Sequence, residues 1–142
     1  MIHKTAIVDN NAKISSNVDI GPYSVIGPNV EINDGTKVQS HVNITGYTKI
    51  GKNTFLDNQI HIAHNVKIGN NCIIAGQVGF AGSSIISDNV MIGGQAGISG
   101  HIKVGNKVQI GGGSGVIKDI EDNSKVMGYP AKNLREFIKE NK

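Results

Sequence analysis

An apolar residue stands at every sixth position from Ile2 to Val116, an unbroken series of 20 that includes Ile20, Ile44, Ile62, Phe80 and Ile98. A period of six matches neither the 3.6 of a helix face nor the simple alternation of a long strand. It predicts a solenoid of short flat strands joined by regular corners. Two positions before the series residue the chain carries a small or β-branched residue, as at Ala12, Val18, Val30, Thr36, Val42, Ile60, Val66, Cys72, Val90, Ile102 and Val108. Both members of such a pair can point inward across one pleat. The positions after the series residue are rich in Gly, Asn, Asp and Pro, which tolerate positive φ or preset a turn. One corner is therefore expected every six residues.

The period fails at Asp122, and Gly128-Tyr129-Pro130-Ala131-Lys132 reads as a turn leaving the solenoid. Asn133 to Asn141 offers a short helix with Leu134, Phe137 and Ile138 on one side, expected to cap the last coil. The boundaries are thus 1–121 for the solenoid and 122–142 for the turn and helix, within a single domain. Because the repeat begins almost at once, no preceding domain is expected.

This pattern resembles the hexapeptide-repeat acyltransferases. The resemblance implies an all-β fold, a left-handed parallel β-helix with three flat faces and 18 residues per coil. Handedness comes from the resemblance alone, since parallel crossovers are ordinarily right-handed. The 20 hexads would make between six and seven coils, a prism roughly 30 Å tall.

Composition suits such a prism. Aromatic residues are 4% of the chain, there is no Trp and there are 19 Gly, a poor supply for a conventional core but adequate for stacked Ile and Val layers. The net charge of +3 comes from scattered Lys residues without a basic run, so nucleic acid is not an expected partner. No long apolar segment and no signal-peptide pattern appear, and the expectation is a cytoplasmic protein without membrane insertion. Cys72, the single cysteine, falls on an inward position and reads as a buried inert thiol.

Candidate chemistry rests on the histidines. With 18 residues per coil, Gly82 lies one coil above His64, whereas His101 is near the same edge two coils up, roughly 10 Å along the axis. Two imidazoles so placed cannot converge on a metal at about 2 Å, and no metal is expected. A general base needs one imidazole beside the nucleophile, and a backbone N–H one coil above it can stabilise an oxyanion.

The segment Asp57-Asn58-Gln59-Ile60-His61-Ile62-Ala63-His64-Asn65, with Ala81-Gly82-Ser83, Gly93-Gly94-Gln95 and Gly100-His101, resembles the UDP-3-O-(3-hydroxyacyl)glucosamine N-acyltransferases of lipid A synthesis over residues 57–132. That resemblance implies His64 as general base toward a glucosamine 2-amino group, Gly82 as oxyanion donor and His101 as an assisting group near the thioester. Candidate substrate contacts are His61, Asn65 and Gln77. Residues 1–51, with Gly21-Pro22-Tyr23-Ser24-Val25-Ile26-Gly27-Pro28 and Gly46-Tyr47-Thr48-Lys49-Ile50-Gly51, are more similar to the UDP-N-acetylglucosamine O-acyltransferases. Those enzymes share the His61-Ile62-Ala63-His64 block but carry Asp at the position of Asn65 and His at that of Ser83.

By resemblance, no cofactor is bound. The donor would be the phosphopantetheine thioester of acyl carrier protein, the acceptor a UDP-amino sugar and the assembly a homotrimer. Two alternatives stay open: an acetyl-CoA-dependent sugar acetyltransferase, and a truncated, non-catalytic trimeric scaffold.

Overall fold

The computed structural model covers all 142 residues and is a left-handed parallel β-helix of about 7 coils with one short helix at its end. Nineteen two-residue strands succeed one another at six-residue intervals, from β1 (Ile7–Val8) and β2 (Lys13–Ile14) to β19 (Gly115–Val116). Every third strand joins the same sheet. The first face holds 7 strands beginning with β1, the second holds 6 beginning with β2, and the third holds 8 including the C-terminal hairpin. From β1 to β19 pairing is parallel with a constant offset of 18 residues, as in Ile62 with Phe80 and Phe80 with Ile98.

Each strand presents one residue outward and the series residue inward, while the residue two before the series position closes the preceding corner from inside. Val18 and Ile20, Val42 and Ile44, and Ile60 and Ile62 are all buried in this way. The interior is a column of 28 apolar side chains, of which each Val, Ile, Leu or Phe is worth about 1.5–3 kcal/mol when fully removed from water. Corners turn through a residue at positive φ, including Gln59 (61°), Asn65 (57°), Gln77 (64°), Ser83 (63°) and His101 (62°).

Hydroxyls are built into the column as well. Ser24, Thr36, Thr48 and Thr54 are buried. They donate to the carbonyls of Gln39, Gly51, Ala63 and Gly69 at 2.7–2.9 Å. They accept the N–H groups of Val42, Thr54, Val66 and Cys72 at 3.1–3.2 Å. Each such side chain satisfies backbone groups that a closed corner would otherwise leave unpaired.

The end of the repeat differs from the sequence expectation. Val104 bridges to Ile120, and Gln109 and Ile110 pair with Lys125 and Val126, an offset of 16 in place of 18. The last coil has lost two residues after Val116, and the hexad then resumes at Ile120 and Val126. Strand β20 (Lys125–Met127) therefore extends the third face past the boundary expected at residue 121, and β21 (Lys132–Asn133) folds back antiparallel on it. Helix α1 (Leu134–Glu140) is capped by Asn133, whose side chain accepts the Arg135 N–H at 3.0 Å. Its apolar stripe is only partly used. Leu134 and Phe137 are half-buried, Ile138 is 48% exposed, and it is Ala131 of the hairpin that packs on the core.

Candidate active site

The corner between the first and second faces carries three consecutive levels of interest: Ala63-His64-Asn65-Val66, Ala81-Gly82-Ser83-Ser84 and Ser99-Gly100-His101-Ile102. The register stacks them, with Ser83 N–H donating to His64 O at 3.0 Å and His101 N–H donating to Gly82 O at 3.2 Å. His64, Gly82 and Gly100 form one vertical file; Asn65, Ser83 and His101 form the next.

His64 and Gly82 touch. A Cβ built on Gly82 would sit 2.6 Å from both Cε1 and Nε2 of the His64 ring. The imidazole thus occupies the space that any larger residue at 82 would need. Its other nitrogen, Nδ1, lies 3.0 Å from Asn65 Oδ1. An amide oxygen only accepts, so this bond places the proton on Nδ1 and leaves the Nε2 lone pair free on the Gly82 side. Asn65 reaches this position through its left-handed backbone, a conformation that Asn tolerates better than most residues.

The same corner leaves backbone donors unused. Between the second and third faces, the N–H groups of Lys52, Asn70, Asp88 and Asn106 are each met by the side-chain oxygen of Asn70, Asp88, Asn106 or Asp122 from the next coil, at 2.7–3.0 Å. Beside His64 the equivalent positions are Gly82 and Gly100, which have no side chain to do this. The N–H groups of Gly82 and Gly100 donate to nothing within the chain. A base whose Nε2 has no partner in the chain therefore stands against Gly82, whose amide donor is free, an arrangement suited to removing a proton from a nucleophile while holding the oxyanion formed on the carbonyl it attacks.

Not every sequence candidate gathers here. His61 lies on the first face, one strand position before the corner, directly beneath Gly79. Asn65 is engaged with His64. Gln77 is elsewhere: it turns the corner between the third and first faces, where its Nε2 donates to Gln59 Oε1 and its Oε1 accepts from Gln95 Nε2, both at 2.9 Å. The width of the first face separates it from His64. His101 is on the His64 corner but two levels above it.

A feature absent from the sequence reading adjoins this corner. A shallow groove of about 440 Å³ runs up the first face from His61 to Tyr129, floored by Gly79, Gly97 and Gly115. A Cβ on Gly115 would run into the Tyr129 ring, whereas one on Gly79 or Gly97 would meet nothing within 4 Å. The signal was present as glycine at every third position, Gly76-Gly79-Gly82 and Gly94-Gly97-Gly100. It crosses the hexad period and is hidden by it.

Burial pushes the Cys72 thiol above its ordinary range, with the Asp88 charge acting in the same direction. Nowhere do three or more His, Cys, Asp or Glu side chains cluster as a metal site would require. No helix is long and apolar enough to cross a membrane.

The fold has counterparts among known proteins. The UDP-N-acetylglucosamine O-acyltransferase of Acinetobacter baumannii (LpxA) superposes with a TM-score of 0.63 at 30% identity, covering 99% of this chain and 77% of that one. With the repeat itself, this likeness places the chain among the hexapeptide-repeat acyltransferases, and it belongs to the family described as the GMPPB C-terminal domain, whose model matches residues 2–141.

Among curated relatives, the acyl-[acyl-carrier-protein]–UDP-N-acetylglucosamine O-acyltransferase of Rickettsia typhi is 46% identical over 55 residues, 39% of this chain. That of Thermodesulfovibrio yellowstonii is 50% identical over 52 residues, 37% of this chain. The matched stretches span only 21% and 20% of those relatives. The GDP-perosamine N-acetyltransferase of Caulobacter crescentus, solved as a variant with CoA and GDP-perosamine, shares the fold with a TM-score of 0.68 at 21% identity, covering 91% of this chain and 56% of that one. The part of the sequence resemblance that pointed to the N-acyltransferases has no counterpart in these likenesses.

Proposed function

We propose that the chain is an acyltransferase that moves an acyl group from a carrier thioester to a sugar nucleotide, with His64 as the general base. One observation carries this reading: an imidazole with its Nε2 lone pair free, packed on a glycine whose N–H has no partner. In the reaction, Nε2 of His64 takes the proton from the acceptor as its nitrogen or oxygen attacks the thioester carbonyl. The oxyanion is held by the Gly82 N–H. Collapse of the tetrahedral intermediate breaks the carbon–sulfur bond, and the departing thiolate receives the proton from His64. Asn65 keeps the ring in the required tautomer, and His101 serves the donor arm higher on the same edge.

The finer reading is a 3-hydroxyacyl chain carried by the phosphopantetheine of acyl carrier protein and delivered to the 2-amino group of a UDP-glucosamine derivative, in a homotrimer. The resemblance of residues 57–132 to the N-acyltransferases, with Ser83 standing where the O-acyltransferases carry His, supports the amine as acceptor. The names of the relatives in Rickettsia and Thermodesulfovibrio support a hydroxyl acceptor and the carrier-protein donor. Purified chain supplied with 3-hydroxyacyl carrier protein and either UDP-N-acetylglucosamine or its 2-amino counterpart separates the two acceptors by the ester or amide formed. Acetyl-CoA in place of the carrier thioester tests the acetyltransferase alternative, which the Caulobacter likeness keeps in view at the level of fold. Absence of transfer in every combination, from a chain of trimeric mass, would leave the scaffold reading.

A further inference from the structure

Six polar side chains are buried inside the column, and one of them, Ser84, has no hydrogen-bond partner for its Oγ. A buried polar atom in this state requires a physical account. Ser24, Thr36, Thr48 and Thr54 supply the rule: the hydroxyl donates to the carbonyl 15 residues ahead and accepts the N–H 18 residues ahead. Applied to Ser84, the rule names Ser99 O and Ile102 N–H. Neither group has a hydrogen bond of its own in the chain. Three unmet polar groups therefore surround one corner, Ser99-Gly100-His101-Ile102, and that corner carries His101.

Threonine is stiff at χ1, whereas serine passes readily among its staggered rotamers. We propose that Ser84 is a positioning residue for His101, a hydroxyl latch with two settings. In the open setting, seen here, Oγ makes no hydrogen bond. In the closed setting it donates to Ser99 O and accepts Ile102 N–H, tying down both ends of the His101 turn by the pair of bonds the threonines make elsewhere. The functional meaning of the latch rests on the acyl-transfer reading; its existence does not.

The test is amide hydrogen exchange on the full chain, comparing Ile102 with Val66 and Cys72, whose N–H groups are held by Thr48 and Thr54 at 3.2 Å. Ile102 should exchange roughly tenfold faster than either. Ser84→Thr should slow it to their level and shift the His101 ring resonances, and Ser84→Ala should leave it fast. Threonine already occupies this interior rank at 36, 48 and 54, so the variant repeats a solution the column uses. An Ile102 amide as protected as Val66 in the unmodified chain overturns the proposal. So does a Ser84→Thr chain in which Ile102 is protected and His101 is unmoved. Turnover surviving His64→Ala would remove the acyl-transfer reading and leave the exchange result standing.

Discussion

At the scale of single residues, the candidate site is a contact between an imidazole and a missing side chain. His64 has its place because residue 82 is glycine, and Gly82 has a free N–H because no side chain above reaches down to it. Replacing His64 with Ala should lower kcat for acyl transfer by roughly 10²–10⁴-fold, with the circular dichroism and melting temperature of the parent, since the ring is exposed. Gly82→Ala should displace the ring and lower kcat by about 10²-fold; a crystal structure would show whether the imidazole has moved. Asn65→Leu frees the tautomer without touching the acceptor, and should lower kcat while leaving KM for the sugar nucleotide within about twofold.

Among the elements, the two-residue strands are nearly interchangeable and the corners are not. Capped amides line the corner between the second and third faces, paired glutamines line the next, and bare glycines stand around His64. The inward rank has its own variation at Cys72, whose raised thiol pKa links folding to alkaline pH. The folded chain keeps that proton where the unfolded chain has lost it, so stability should fall as pH rises through the ordinary thiol range, about 8.5. Chemical denaturation between pH 7 and 10 should show this slope in the parent and a flatter one in Cys72→Val. Thiol reagents should label Cys72 only as fast as the column opens.

For the molecule as a whole, sequence distance converts into height and face, which makes deletions informative. Removing residues 10–27, one full coil of 18, should leave a shorter column with His64 still beneath Gly82 and turnover retained. Removing residues 69–74 keeps the hexad but slides His64 beneath Asp88. That chain should fold, as judged by its strand signal and a cooperative melt, and should have no turnover. Equal activity in the two deletions would sink the stacked-corner site.

Much of this was legible in the residue order. Ile20, Ile62 and Phe80 were assigned inward by period alone, and so was the stacking of His64 under Gly82, because a constant rung makes long-range pairing as predictable as local pairing. The ladder that ties Gln77 to Gln59 and Gln95 on another corner was not legible, because the repeat fixes the level of a side chain and not the partner its amide chooses.

The sequence by itself determined the column, since a period of six with turn residues between the apolar positions admits only a coil of flat faces. Tertiary structure alone decided which nitrogen of His64 is free, which amides lack a partner and where the last coil shortens. Those depend on rotamers, side-chain caps and a two-residue loss of register, contacts between coils that a repeat constrains in position but not in orientation.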